Sequence, residues 1–326
     1  MTDVITIRAV GDMMLGSTYP DARDMPPGDG HDMFAHVAPT LRAADITFGN
    51  LEGPLTDGGV TGKSGSNSFA FRTPPRCGKY YKDAGFDILN VANNHAGDFG
   101  ARGRSSTVKT LESLGIAHAG ATKTDVARLT VRGTTVAFVA FAHNPISLNV
   151  NDVRAAQAAV RDAARGADIV IVSFHGGAEG AGHQNVPHAT ETYFGEARGN
   201  LRVFTHAVVD AGAALVMGHG PHVVRGMEMY KGRLIAYSLG NFATYGKFGL
   251  HGPTALSLIL QVRLAPKGAN TGQFLGGKIF PVMQVGKGIP KMDARHQIIP
   301  VVRKLSQADF GRNAARITPD GLISAK

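Results

Sequence analysis

The sequence has one cysteine, Cys77, in 326 residues. That excludes an intrachain disulfide and a cysteine-based zinc site. A transition metal would have to use imidazole with carboxylate or amide oxygen. No apolar run approaches the roughly 18 residues of a membrane-spanning helix. The opening residues, MTDVITIRAVGD, carry no basic stretch and no small-residue cleavage site, so the sequence as given is expected to be cytoplasmic, with neither secretory signal nor anchor. Acidic residues are outnumbered 25 to 34, for a net charge of +9. From residue 266 onward ten Lys and Arg face three Asp, which accounts for +7 of that total. Such an excess attracts anionic partners. Its basic residues are scattered, though, with no aromatic-interleaved motif, so no specific nucleic-acid contact is expected and a solvated basic tail is the preferred assignment.

What is present is an ordinary globular composition, 43% apolar and 18% charged, with 13 histidines. Apolar runs of strand length recur: VITIRAV, DITFG, FDILNVA, TVAFVAFA, DIVIVSF, AALVMG, RLIAYSL and TALSLILQVRL. Helix-compatible stretches lie between the earlier ones. DMFAHVAPTLRAAD is one, with a kink expected at Pro39. SSTVKTLESLG has a Ser cap, NDVRAAQAAVRDAARGAD an Asn or Asp cap, and NLRVFTHAVVDAG ends on Gly. Alternating strands and helices predict an α/β fold. ARLTVRGTTVAFVA predicts a hairpin turning near Gly133, and from about residue 223 short turns predict antiparallel strands. No repeat or linker divides the chain. A single domain over 1–305 is expected, followed by a polar, poorly packed tail over 306–326. GPLTDGGVTGKSGSNS, residues 53–68, is a long loop beside a site. Its GVTGKS fragment is not a phosphate-binding loop, because Asp57 stands where the first glycine is required.

In open α/β sheets ligands bind beyond the carboxyl ends of the strands. Successive strand-like runs are followed by Asp12; by Asn50 and Glu52; by Asn94 and His95; by His143 and Asn144; by His175; and by His219 and His222. Each alone has a bland explanation as a cap, turn residue or satisfied loop histidine. Six strand ends carrying such groups point to a metal site. Imidazole with carboxylate and amide oxygen suits zinc, manganese or iron, with calcium admitted where oxygen dominates. Arg72, in FAFRTPP, is a candidate fork for a substrate carboxylate or phosphate, with a surface ion pair as the competing assignment. His183 and His188 lie in the decorated stretch 179–200, either facing substrate or on a surface loop. Asn93 is assigned only a turn-stabilising role.

The blocks VGDMMLG, FGNLEGPLT, NVANNHAGDFG, FHGGAE, VMGHGPHV and IAYSLGNF, from about residue 5 to 245, resemble in order those of the CapA family (poly-gamma-glutamate synthesis proteins), within the calcineurin-like metallophosphatase superfamily. The resemblance implies a four-layer α-β-β-α sandwich of mixed sheets. It also implies one or two divalent ions, held by Asp12, Glu52, Asn94, His175, His219 and His222, with Asn50 beside the bridging position as a substrate contact. His95 matches a proton donor, and Asp98 further along that loop is placed to orient it. Two departures bear on metal count: Met14 stands where the pattern has a His ligand, and His219 and His222 are one residue further apart than the usual pair. Three functions stay open: a metal-dependent hydrolase of a phosphoester or a gamma-glutamyl or peptide amide; a non-hydrolytic accessory protein for anionic polymer synthesis or export; and a metal-assisted peptide epimerase. The resemblance also leaves room for envelope-associated relatives.

Overall fold

The structure is a computed structural model that describes residues 4–63 and 69–325. Part of the Gly/Ser/Thr-rich loop, 64–68, lies outside the described residues. In chain order the strands are β1 (Ile5–Met14), β2 (Ile46–Leu51), β3 (Ile88–Asn90), β4 (Ala117–Ala119), β5 (Val126–Val131), β6 (Thr134–Ala142), β7 (Leu148–Asn149), β8 (Ile169–His175), β9 (Glu191–Tyr193), β10 (Glu196–Gly199), β11 (Ala213–His219), β12 (Met227–Tyr230), β13 (Arg233–Ala236), β14 (Asn241–Thr244), β15 (Leu256–Leu264), β16 (Phe274–Val285), β17 (Ile289–Met292), β18 (Arg316–Ile317) and β19 (Leu322–Ser324). The helices are α1 (Ala38–Arg42), α2 (Gly78–Ala84), α3 (Gly100–Ser113), α4 (Val153–Ala164), α5 (Leu201–Asp210) and α6 (Ile298–Phe310).

Among the described residues the strands form a ten-stranded sheet, a seven-stranded sheet and the separate β9–β10 hairpin. The larger sheet runs β18-β19-β16-β15-β1-β2-β3-β4, with β14 beside β1 and β17 beside β16. The smaller runs β12-β13-β11-β8-β6-β5, with β7 beside β6. Both are mixed: β1 is parallel to β2 and antiparallel to β15, and β8 is parallel to β6 and β11 while β12 is antiparallel to β13.

Alternation sorts side chains into layers. In β8, Ile169 and Ile171 face the other sheet, while Val170 and Val172 face outward to α4 and α5. Ile7 and Ala9 of β1 and Phe48 of β2 meet Val136 and Phe138 of β6 between the sheets. On the far side Val10 and Met13 join Leu41, Tyr81 and Leu111 of α1, α2 and α3. The order is helices, sheet, sheet, helices. Strands covered on both faces read as near-continuous apolar runs for this reason. No helix among the described residues is long and apolar enough to cross a membrane.

Local expectations fare unevenly. Asp152 caps α4 by accepting Ala155 N–H at 3.0 Å, and Asn200 caps α5 through Val203 N–H at 3.2 Å. The β5–β6 hairpin turns at Arg132 and Gly133. Pro39 does not kink a longer helix: it stands in the first turn of α1, where a missing N–H costs nothing. The expected Ser cap is absent because α3 begins earlier, at Gly100. Strands after residue 223 are not all antiparallel: β13 runs parallel to β11 and β14 to β1. Residues 306–326, expected to be a loose tail, are built into the fold as far as they are described. Phe310, Ile317 and Ile323 are buried, and β18 and β19 extend the larger sheet.

Candidate metal centre

The centre sits where the carboxyl ends of β1, β2, β3, β8 and β11 meet. β1 breaks register with both neighbours at Asp12, and Asp12 N–H donates to Gly240 O at 2.9 Å. The backbones of Gly11 and Gly240 approach so closely that a Cβ on Gly11 would lie 1.8 Å from Gly240 O. A glycine there is what lets β14 lie beside Asp12. Across the gap, His222 holds a left-handed backbone, φ 58°, after Gly220 and Pro221. Strain of this kind in a non-glycine residue gathers at functional sites.

Asp12, Glu52 and His222 are buried and each offers a ligand atom within 4.8 Å of the others. Asp12 Oδ1 accepts Asn50 Nδ2 at 2.8 Å, and its Oδ2 lies 3.1 Å from His222 Nδ1. Asn241 Oδ1 is 3.0 Å from the same His222 nitrogen. Glu52 Oε1 lies 3.5 Å from His222 Nε2, 3.8 Å from His175 Nε2 and 3.9 Å from His95 Nε2. Both Glu52 oxygens, His175 Nε2 and Asn94 Oδ1 are buried with no hydrogen-bond partner. Buried polar atoms are nearly always paired. Oxygen and nitrogen lone pairs left open at one place suit a divalent cation. Asp12, Glu52 and His222 could hold such an ion, with His175 Nε2 3.8 Å from Glu52 Oε1.

The titration behaviour follows from this crowding. Burial, reinforced by Asp12 and Glu179, pushes the Glu52 carboxyl well above the usual range. Burial, with His143 and His222 nearby, drives His175 well below 6.5. Burial would lower His222 as well, but Glu52, Asp12 and Glu179 outweigh it and raise it to about 10. His95 is lowered by burial in spite of Asp98. Its Nδ1 lies 2.8 Å from Asp98 Oδ2, which also accepts Phe71 N–H at 2.7 Å. The Phe71 ring stacks on His95 at 3.9 Å. A neutral His95 donating Nδ1–H to Asp98 therefore turns the lone pair of Nε2 toward Glu52.

Three sequence assignments end up elsewhere. His219 is buried, but its Nε2 lies 3.2 Å from Val10 O and its Nδ1 3.3 Å from Phe174 O, so the ring ties strands together and is not aimed at the cluster. Asn50 is wholly buried, donating from Nδ2 to Asp12 Oδ1 at 2.8 Å and lying 3.4 Å from His175 Nδ1. Arg72 donates to Thr18 Oγ1 at 3.0 Å and Thr18 O at 2.9 Å and lies against the Tyr19 and Phe99 rings, so its guanidinium braces a loop. His183 and His188 are exposed, as surface-loop residues would be. His143 backs the His175 strand end, Nδ1 3.4 Å from His175 O, and burial and Arg198 lower it to about 4. Asn93 does more than stabilise a turn: its side chain donates to Leu51 O at 2.8 Å and accepts His95 N–H at 3.1 Å.

Sequence reasoning missed Asn241, Lys63, Glu179 and Arg198. Lys63 Nζ lies 2.5 Å from Asp98 Oδ1 and 3.2 Å from His95 Nδ1. Glu179 Oε2 is 3.8 Å from His222 Nε2, and its Oε1 accepts Arg198 Nη1 at 2.8 Å. Of the four, Asn241 and Glu179 lay in quoted blocks, in the GNF of IAYSLGNF and at the end of FHGGAE, and Lys63 lay in the quoted GVTGKS loop.

The family model described as "Bacterial capsule synthesis protein PGA_cap" matches residues 6–245. The chain is 33% identical over 259 residues to the capsule biosynthesis protein CapA of Bacillus anthracis, covering 73% of this chain and 59% of that one. It is 31% identical over 256 residues to the PGA biosynthesis protein CapA of Bacillus subtilis, covering 74% and 63%. The chain thus spans about three fifths of the length of these relatives. A crystal structure described as a putative 5'-nucleotidase from Staphylococcus aureus in complex with alpha-ketoglutarate superposes with TM-score 0.48 at 16% identity, covering 91% of this chain and 57% of that one. With the family model matching from the first strand through β14, the chain belongs to the bacterial capsule synthesis protein family PGA_cap.

Proposed function

We propose that the protein is a metal-dependent hydrolase of an amide bond in an acidic glutamyl polymer of the bacterial envelope. The observation that carries the reading is Glu52: a buried carboxylate with neither oxygen hydrogen-bonded, beside His175, His222 and Asp12. The polymer context comes from the relatives, whose names refer to capsule and PGA biosynthesis. An amide is preferred to a phosphoester because the two cations lining the adjoining pocket are already paired. Lys63 is held by Asp98, and Arg198 by Glu179 and Glu196.

Asp12, Glu52, Asn94, His175 and His222 would hold the ion, with Asn50 and Asn241 orienting Asp12 and His222. A bound divalent cation activates water as a nucleophile and polarises the carbonyl under attack. His95 Nε2 moves the proton that the departing amine requires. Asp98 fixes its tautomer from Nδ1, and stacked Phe71 fixes the ring plane.

The test is to measure bound metal in the purified protein and assay gamma-glutamyl peptides, ordinary peptides and phosphoesters. His95→Ala and His175→Ala are run in parallel. Turnover of the gamma-glutamyl substrate that both changes abolish is the expected result. Equal turnover by all three proteins sinks the site assignment. Solvent deuterium entering a peptide Cα without cleavage would replace hydrolysis by epimerisation.

A further inference from the structure

Two of the 16 phenylalanines are exposed among the described residues, Phe69 at 54% and Phe194 at 68%. Both line one pocket of about 200 Å³, whose walls include Lys63, Asn94, His95 and Arg198. Phe194 stands at the tip of the β9–β10 hairpin, where Tyr193 pairs with Glu196 across a two-residue turn. Both turn residues are left-handed, with φ of 48° at Phe194 and 78° at Gly195. Such turns favour Asn-Gly, because a left-handed backbone presses most side chains against the following carbonyl. Phenylalanine is thus unfavourable twice at position 194, in its backbone and in its exposure to water. Local stability does not explain it.

The hairpin is fixed to the pocket wall. The Phe194 ring leans on Tyr193 with centroids 4.4 Å apart. The Arg198 guanidinium lies 5.5 Å over the Tyr193 ring and is held between Glu179 and Glu196. An aromatic ring is therefore presented in strained form, from a braced support, at the mouth of the pocket that reaches His95.

We infer that Phe194, together with Phe69, is a platform on which the substrate chain rests, and that the chain it takes is a peptide. Planar amide units lie well on aromatic faces. The pocket's charges of both signs (Lys63 and Arg198, Glu179 and Glu196) supply donors and acceptors for the N–H and C=O groups of such a chain. The hydrolase reading supplies the reaction at this site, but binding to the platform does not depend on it.

The sequence contains no tryptophan, so Phe194→Trp places a single reporter at the pocket mouth. It is made in the His95→Ala background, where the ligand is not consumed, and titrated with a synthetic gamma-glutamyl oligomer. A saturable emission change is expected. By calorimetry, Phe194→Asn in the same background should bind the oligomer roughly two- to tenfold more weakly. Its melting midpoint should nevertheless rise by roughly 2 °C, since asparagine suits the turn. Unchanged affinity in Phe194→Asn, or a silent reporter, overturns the platform. A response to a neutral oligosaccharide and none to the oligomer overturns the peptide assignment. Binding with this pattern but no turnover by the parent protein removes only the hydrolase reading. Turnover whose KM ignores Phe194→Asn removes only the platform.

Discussion

Glu52 Oε1 faces His222 Nε2 at 3.5 Å, yet neither carboxylate oxygen of Glu52 forms a hydrogen bond. A buried carboxylate in this state is costly unless a cation joins it. Glu52→Gln should lower affinity for a divalent ion by about a hundredfold or more. Ligand at 100 times its Kd stabilises a protein by about 2.7 kcal/mol. The rise in melting temperature on adding metal should therefore be present in the parent and absent in Glu52→Gln. Thermal scans with metal and with chelator check both.

Asp98 gives Oδ2 to His95 Nδ1 at 2.8 Å while Lys63 Nζ lies 2.5 Å from Oδ1. Asp98→Asn keeps the shape but no longer enforces the tautomer that frees Nε2. Turnover should fall by roughly a hundredfold or more while the KM stays close to that of the parent. Metal content should not change, since Asp98 is not among the ligands. Loss of metal alongside activity would show that Asp98 acts through the ion site.

Arg225, wholly buried, forms a fork with Glu191, Nη1 to Oε1 at 2.8 Å and Nη2 to Oε2 at 2.7 Å. This pair anchors the 179–200 segment to the strand ends. Arg225→Met leaves the buried Glu191 carboxylate with only Ala178 N–H as a partner and should cost about 3–5 kcal/mol. The double change with Glu191→Leu should recover much of that, because the orphaned charge accounts for most of the penalty. Denaturant midpoints of the three variants decide it.

His118 Nδ1 lies 2.9 Å from Asp125 Oδ2, and that hydrogen bond raises the histidine above 6.5 against the effect of burial. A histidine raised on folding stabilises the protein fully below its unfolded value of about 6.5, and the contribution is lost as pH climbs through the higher folded value. The stability difference between the parent and His118→Gln should therefore be largest at about pH 5.5 and shrink toward about pH 8.5. Urea midpoints across that range give the answer. A difference that grows with pH would contradict the sign.

The layered fold was legible because strands such as IVIVSF are covered on both faces, which leaves a run no other element explains. That the candidate ligands lie together at strand ends was legible, because chemistry gathers there. Side-chain direction was not. His219 ends β11 as His175 ends β8, with identical register between them, yet its ring turns to Val10 O and Phe174 O. Asn241 could not be placed because its approach to Asp12 depends on the Gly11–Gly240 contact between distant parts of the chain. Residues 306–326 were misjudged because their apolar residues are sparse: Phe310, Ile317 and Ile323 are buried at the end of α6 and in two short strands that join the sheet through β16, which is distant in sequence.

The two sheets contribute unequally to what lies between them. Asp12, Glu52 and Asn94 come from the ten-stranded sheet, and His175 and His222 from the seven-stranded one. An ion held by both sets would be a rivet through the sandwich, and removing it would loosen the seam at the strand ends before it loosened either sheet. Its ligands are spread from the first strand to the loop after β11, so the rivet cannot be set until most of the polypeptide is in place. In such a protein, a bound ion would certify that the two sheets have met.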